Sequence, residues 1–478
     1  MNGKGKYLIK NIGILTVSNF ASKILVFLLV PLYTSVLSTV EYGAYDIVYS
    51  TIQLLFPILT LNISDAVMRF SMDREKKLDD VAAIGFSTLI RGTIPIIIFM
   101  LGCWHWGWIG FIRDYEILIL LYSVFYFLYQ YLIQLAKGME RVIDMGIAGI
   151  ISTVFLLGGN VLFLLMFNVG LKGFYIANVL AQMVPAIYLL IRIEIWRFPL
   201  FKQIDKKLRI EMMTYCLPLI VTVLGWWINN TADKYTVAII CGASANGLLS
   251  VAYKIPSIIN VFQNIFTQAW QISAIKEYGS KDTAIFYGNA FNVLAFMMAG
   301  ACSWLILLTK PIGHIMYAKD FYAAWEYVPF LLIACVLNSA AGFLGPILSA
   351  KKNSKAMALS SLYSSGANIL LNIILVIFIG VQGACIATVI SSLIQYIARK
   401  RAVQNEISIN RYYIVLVTWV LLCVQAIIEI YTSFWYIEIL LMGVLLFLNR
   451  NSFKQFLDIG KSIIHRRKQN ENSSVNSN

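Results

Sequence analysis

The chain is 478 residues long, 59% of them hydrophobic and only 13% charged, with a mean hydropathy of +0.74. Soluble domains carry about 25% charged residues, and no soluble core hides so much apolar surface. Intrinsic disorder needs the opposite balance and is excluded as well.

A spanning helix takes about 20 mostly apolar residues. Fourteen such spans are predicted, over residues 12–36, 43–68, 81–103, 115–136, 142–167, 173–191, 212–238, 246–272, 285–308, 325–349, 356–378, 382–398, 412–430 and 433–449. The expected fold is therefore all-α and polytopic, with both termini on one side of the membrane. The formal net charge of +14, from 38 Lys+Arg against 24 Asp+Glu, must be read against that topology. With the N-terminus taken as cytoplasmic, thirty of the basic residues fall in inner segments. Only Arg113, Lys172, Lys310 and Lys319 fall in outer loops. That asymmetry sets both termini inside, explains most of the net charge, and leaves no need for a nucleic-acid partner.

The apolar stretch from Ile12 is too long for the core of a cleaved signal. At the other end, the basic tail 450–478 spaces Phe453, Phe456, Leu457, Ile463 and Ile464 on one helical face. Such a helix is expected to lie on the inner membrane surface. The final stretch QNENSSVNSN is too polar to fold.

A weak internal repeat is present. Residues 41–55 and 245–259 each open an outside-to-inside span after a short outer turn, sharing Gly43 with Gly247 and Tyr49 with Tyr253. Two parallel six-helix bundles follow, 1–192 and 212–400, joined by a cytoplasmic linker 193–211 and related by an axis along the membrane normal. The last two spans, within 401–449, fall outside the repeat.

Covalent chemistry finds little support. The seven cysteines are scattered without a C-x-x-C and read as small buried hydrophobes. Outer loops are short, the longest near 104–114 and 309–324, and there is no HExxH or GxSxG. The only Gly-Lys-Ser, at 460–462, has Gln455 where a phosphate-binding loop requires glycine. His105, His314 and His465 lie at or beyond the predicted membrane edges. No metal or cofactor is expected, and the chain reads as a transporter, not an enzyme.

Charges inside spans each cost about 2.5–3.5 kcal/mol at a helix centre. Lys23 sits in the middle of the first span, Arg91 in the third, and Lys234 and Lys254 in the outer halves of the seventh and eighth. Converging on a water-filled cleft, they would form a cationic site for a phosphate-like anion. Snorkelling or structural pairing is the competing reading. Asp233 would neutralise Lys234 or Lys254, or serve as a coupling-ion site. Asp65 and Arg69, four apart at the inner end of the second span, are spaced for a local ion pair. Amides are abundant in the spans and suit either interhelical hydrogen bonds or a polar cavity. Trp226 and Trp227 lie mid-span, and Trp270 lies beside Gln268 and Gln271. Aromatic faces next to amides suit carbohydrate, with lipid-facing packing as the alternative. Eight of the ten prolines fall within spans, where each bends its helix.

Several stretches carry a family likeness: PLYTSVLSTVEYGAYDIV (31–48), ISDAVMRFS (63–71), ADKYTVAIICGASANGLLSVAYKIPSI (232–258) and FTQAWQISAIKEYG (266–279). With the fourteen spans, the chain resembles the polysaccharide-transporter branch of the multidrug/oligosaccharidyl-lipid/polysaccharide exporter superfamily, the Wzx-type flippases. Asn62 departs from the pattern, which often has glycine before the Ser-Asp-Ala segment. The resemblance implies a V-shaped, MATE-like pair of bundles in the bacterial cytoplasmic membrane. It implies a flippase moving an undecaprenyl-diphosphate-linked oligosaccharide to the outer leaflet by alternating access, for capsule, O-antigen or another surface polysaccharide. Its partners would be that polyprenyl-diphosphate oligosaccharide, the bilayer and other surface-polysaccharide assembly proteins, with a proton or sodium ion as coupling ion. Three alternatives stand beside it. A multidrug antiporter should favour buried acids over cations, and a lipid II flippase shares the charge logic. A polysaccharide polymerase or ligase should carry a sizeable outer loop. The cationic-site reading predicts that Lys23→Ala, Arg91→Ala or Lys254→Ala impairs surface-polysaccharide export while the protein stays in the membrane. Normal export from all three variants would remove it.

Overall fold

A computed structural model describes residues 27–73, 75–106, 110–199, 205–432 and 434–455. Most of the first predicted span, residues 200–204 of the linker, and the tail beyond 455 lie outside them.

Hydrocarbon offers the backbone no hydrogen-bond partner, so a spanning chain must satisfy itself as helix. The described elements comply. They are α1 (Val30–Val36), α2 (Thr39–Leu59), α3 (Ile63–Ser71), α4 (Leu78–Trp106), α5 (Gly110–Gly138), α6 (Val142–Asn160, continued by a π-turn to Met166) and α7 (Gly170–Ile193). Then come α8 (Lys206–Cys241), α9 (Ala243–Ala252), α10 (Lys254–Glu277), α11 (Thr283–Leu307) and α12 (Thr309–Met316). A 3-10 stretch (Lys319–Tyr327) leads to α13 (Val328–Ala350), α14 (Ser354–Ile379), α15 (Val381–Ala402), α16 (Tyr412–Tyr431) and α17 (Trp435–Leu448). Among the described residues the predicted spans from the second onward fall on helix, the second of them interrupted at Thr60–Asn62.

Among the described residues, 10 helices are long and apolar enough to cross a bilayer, or 11 with the bent pair α2–α3 counted as one span. Helix α10 falls outside this group because Asn260, Gln263, Asn264, Gln268 and Gln271 dilute its hydropathy. Helix α17, with 14 residues, is short.

The chain divides into two compact units, one running to Val251 and taking in Met316–Phe321, the other formed by Ala252–Ile315 and the residues from Tyr322 on. In the first unit α5 packs on α4 and α7, and α6 on α7. Buried hydroxyls sew these helices together: Tyr131 donates to the Ala82 carbonyl at 2.9 Å and Ser152 to the Ala181 carbonyl at 2.7 Å. In the second unit α13 is central, with 89% of its apolar window buried among α10, α11, α15 and α16. Buried amides bridge its helices, as when Ser303 and Gln425 exchange bonds of 2.8 and 3.0 Å. Beyond α13, Lys351 pairs with Glu406 at 2.9 Å, and that carboxylate holds the ammonium above its ordinary range.

Helix α2 starts at a capping box, in which the Ser38 hydroxyl accepts from the Glu41 amide and Glu41 reaches back to the Ser38 amide. It carries Pro57 near its end and bends by 59° into α3. Leu61 and Asn62 take left-handed backbone at the bend, φ 52° and 51°. After glycine, asparagine tolerates that conformation best. The departure from the expected glycine is therefore a conservative one. Asn62 also donates to Asp65 at 2.8 Å, anchoring the start of α3.

The repeat meets itself in space. A Cβ on Gly43 would lie 1.8 Å from the Ala243 carbonyl oxygen, and one on Gly247 would lie 2.1 Å from the Thr39 carbonyl oxygen. Thr39 and Ala243 are separated by the same interval as the two glycines. The contact of α2 with α9 is thus reciprocal, as a local two-fold axis requires. Gly43→Ala should lower stability by about 1–3 kcal/mol through overpacking, read as a lower unfolding temperature in detergent. Gly366→Ala in α14, where nothing lies within 4 Å, should leave it unchanged or slightly raised. A Gly43→Ala protein as stable as its parent would contradict the close crossing.

Candidate functional site

The close crossing brings a charge network together. Asp46 lies one turn after Gly43 on α2 and is 6% exposed. The Lys234 ammonium on α8 donates to both its oxygens, at 2.9 and 3.0 Å. Ser250 on α9 donates to the same carboxylate at 2.8 Å. One turn earlier on α9, Asn246 donates to the Gly43 carbonyl at 2.9 Å. Residues four apart share a helix face, so Asn246 and Ser250 follow from one orientation of α9. The glycines make it possible, because the short serine side chain reaches Asp46 only when the two backbones nearly touch.

Helix α8 is tied to α2 at further points. Trp227 donates to the Ser50 carbonyl at 3.1 Å, and the Tyr235 and Thr51 hydroxyls meet at 2.6 Å. Beside this network stands a wall of aromatic rings. Tyr33 stacks on Tyr42 at 4.8 Å, and Tyr45 packs edge-on against Phe174 at 4.7 Å and Tyr175 at 5.3 Å. The Tyr45 hydroxyl donates to Asn178 at 2.9 Å. Rings of this size on α2 fix its rotation, and with it the direction in which Asp46 points. Removing one partner of a buried pair costs about 3–5 kcal/mol, whereas removing both can be neutral. The network therefore offers a cation that an anion can reach only by competing with Asp46.

The other expected residues are scattered. Lys23 and the side chains of Trp226 and Gln268 lie outside the described residues. Arg91 is exposed on α4, on the side that also exposes Ile94 and Ile98, where a long cationic chain can snorkel along apolar surface. Lys254 opens α10 and is half-buried. Asp233 is buried on α8 at 2% exposure, yet the carboxylate that binds Lys234 is that of Asp46.

Three expectations need correction. Asp65 does not pair with Arg69. Its carboxylate accepts from Asn62 at 2.8 Å and Gln134 at 3.4 Å, while Arg69 is exposed in the last turn of α3. Trp270 is a core residue of the second unit, donating to the Phe343 carbonyl at 2.9 Å and stacked on that ring at 4.2 Å. Its indole is spent on packing, and the adjacent Gln271 is exposed. Trp227 is likewise spent on Ser50, its ring 5.2 Å from Tyr235.

Asp46 and Ser250 were not among the expected residues. The signal was available, since Ser250 occupies the repeat position of Asp46, at the interval that separates Gly43 from Gly247. Among the described residues, no three His, Cys, Asp or Glu side chains gather as a metal site.

Known proteins agree with this picture of the fold. Residues 8–271 match the family described as "Polysaccharide biosynthesis protein". A Haloferax volcanii protein named "Probable low-salt glycan biosynthesis flippase Agl15" is 22% identical over 208 residues, 42% of this chain and 44% of that protein. The chain thus spans less than half the length of that curated relative. Among solved structures, lipid II flippase MurJ in an inward closed conformation superposes with a TM-score of 0.66 at 15% identity, over 93% of this chain and 99% of that one. An inward-facing multidrug resistance transporter of the MATE family, within the MOP superfamily, gives 0.63 at 13% identity over 82% and 94%. These likenesses show a MurJ- and MATE-type helical fold. The family match covers more than half of the chain, which therefore belongs to the polysaccharide biosynthesis protein family.

Proposed function

We propose that this chain is a flippase that carries an undecaprenyl-diphosphate-linked oligosaccharide across a bacterial cytoplasmic membrane for surface-polysaccharide assembly. The observation that carries the reading is a polysaccharide biosynthesis chain with the fold, along 93% of its length, of a lipid-precursor flippase. Both termini are cytoplasmic, a placement supported by the thirty basic residues in inner segments. The protein works without covalent chemistry, by alternating access of two six-helix halves, 1–192 and 212–400. Further surface-polysaccharide assembly proteins would supply and receive the oligosaccharide.

The α2–α9 crossing closes the outer end in this scheme. Both helices begin just after outer turns, and their backbones approach too closely to leave a passage. Opening outward then requires the crossing at Gly43 and Gly247 to part. Lys234 and Lys254 serve the diphosphate, and span amides serve the sugars. Moving negative charge out of an inside-negative cell is favoured by about 2.3 kcal/mol per charge per 100 mV.

Purified protein in vesicles should move a fluorescent polyprenyl-diphosphate sugar between leaflets faster than empty vesicles do. Lys234→Ala and Lys254→Ala should slow it about tenfold or more, by loss of charge-assisted bonds of about 1.5–3 kcal/mol. Arg91→Ala, on the exposed face of α4, should retain most of the rate. No transport by the parent protein would reject the flippase reading. Full rates from the two lysine variants would reject their role.

A further inference from the structure

Each predicted half closes with a helical hairpin, α6–α7 in the first and α14–α15 in the second, and each hairpin carries an arginine in its last turn, Arg192 and Arg399. Their charges are met differently. Arg192 is exposed and pairs with Asp144 of α6 at 3.0 Å. Arg399 is half-buried, and its guanidinium meets neutral oxygens. Nη1 donates to the Ala341 carbonyl of α13 at 2.8 Å, Nε to the Ser360 hydroxyl of α14 at 3.2 Å, and Nη2 to the Ser361 hydroxyl at 3.4 Å. Among the described residues no carboxylate pairs with it.

A cation at the end of a spanning helix ordinarily extends toward the interface. Arg399 turns inward instead, to Ser361 about two turns, or roughly 10 Å, inside the start of α14. A charge drawn to that depth without an anion is costly, and neutral acceptors hold it in place without compensating it. A guanidinium has two N–H groups on each terminal nitrogen. These bonds leave one on each, which is what arginine offers a phosphate. The same end of the unit is basic. Lys352, Lys355 and Arg401 are exposed there, whereas Lys351 is spent on Glu406 and Lys400 on the Tyr412 ring, 3.0 Å away. Apolar surface lies alongside, since Leu362 and Tyr363, next to Ser361, are 65% and 59% exposed.

We propose that Arg399 binds the phosphate of a membrane lipid, the anion that this hairpin does not itself provide, while the lipid's chains lie on the apolar flank of α14. The diphosphate of the transported lipid and the headgroup of an ordinary phospholipid both carry that chemistry. The site therefore goes beyond the flippase reading and stands or falls apart from it.

Two probes separate the sources: a short-chain polyprenyl-diphosphate N-acetylglucosamine and a short-chain phosphatidylglycerol, with diacylglycerol of the same chain length as the control lacking phosphate. Binding to the full-length protein in detergent is measured, together with the rise in unfolding temperature that each lipid brings. Arg399→Gln should weaken the binding of one phosphate probe or both, about ten- to a hundredfold, and abolish the matching rise, with diacylglycerol unaffected. Lys352→Gln at the exposed rim should change affinity less than about twofold. Loss confined to phosphatidylglycerol identifies a bilayer phospholipid, and loss confined to the diphosphate identifies the transported lipid. A purely structural arginine would lower the starting unfolding temperature and leave the lipid-induced rise intact, a result that overturns the proposal. Parental affinity of a folded Arg399→Gln variant for both phosphate probes overturns it too. Should that variant not fold, parental affinity of Arg399→Lys, which keeps the charge but not the paired N–H groups, does the same, as does a parent that binds neither probe. A parent that binds phosphatidylglycerol through Arg399 but carries no diphosphate lipid fails the flippase reading and leaves this site standing.

Discussion

A buried lysine inside a membrane protein is costly without an anion beside it, and a buried aspartate without a cation or hydrogen-bond donors. Lys234 and Asp46 meet that requirement for each other across α8 and α2, beside the point where α2 and α9 approach until their backbones touch at Gly43 and Gly247. The same approach lets Ser250 reach the carboxylate and Asn246 reach a backbone carbonyl. Any side chain at either glycine would push the helices apart and lengthen these bonds together. Packing and electrostatics are thus a single constraint here, and the aromatic wall of Tyr33, Tyr42 and Tyr45 holds α2 at the rotation that satisfies it.

Helix α8 complements this arrangement. It runs unbroken for 36 residues beside a partner that bends by 59°. Lys234, Tyr235 and Trp227 hold it to α2, and Cys216 donates to the Asn62 carbonyl at the bend, 3.3 Å away. A continuous helix so fastened at both ends acts as a splint for an interrupted one. It also gives the carbonyl of a left-handed residue a donor, which bilayer lipid would not.

Much of the helical architecture was legible in the sequence, because a hydrocarbon solvent demands long apolar runs. The contents of the site were less so. The second span read as one helix over 43–68, which hid the break at Thr60–Asn62. With the break in place, Asp65 falls in the first turn of α3 and Arg69 in its last, each complementing its own helix end. Their spacing allowed a pair, but each found a better position. Trp270 and Gln271 were grouped because they are adjacent, yet neighbours on a helix point in different directions. One entered the core and the other stayed at the surface. Asp46 does not stand out among the deep charges, because the anion that matches Lys234 sits inside the repeat segment itself.

The reciprocal crossing has a consequence for what symmetry permits. A residue near a two-fold axis faces its own counterpart, so in a pair of identical chains Asp46 would confront a second aspartate. Two carboxylates so close would repel. Joining both halves in one polypeptide removes that restriction, since the counterpart can be a serine that donates to the aspartate. The glycines at the crossing stayed alike because backbone contact asks the same of both sides. The polar positions next to them had to differ, and that difference is what lets a two-fold contact hold a single, directional charge.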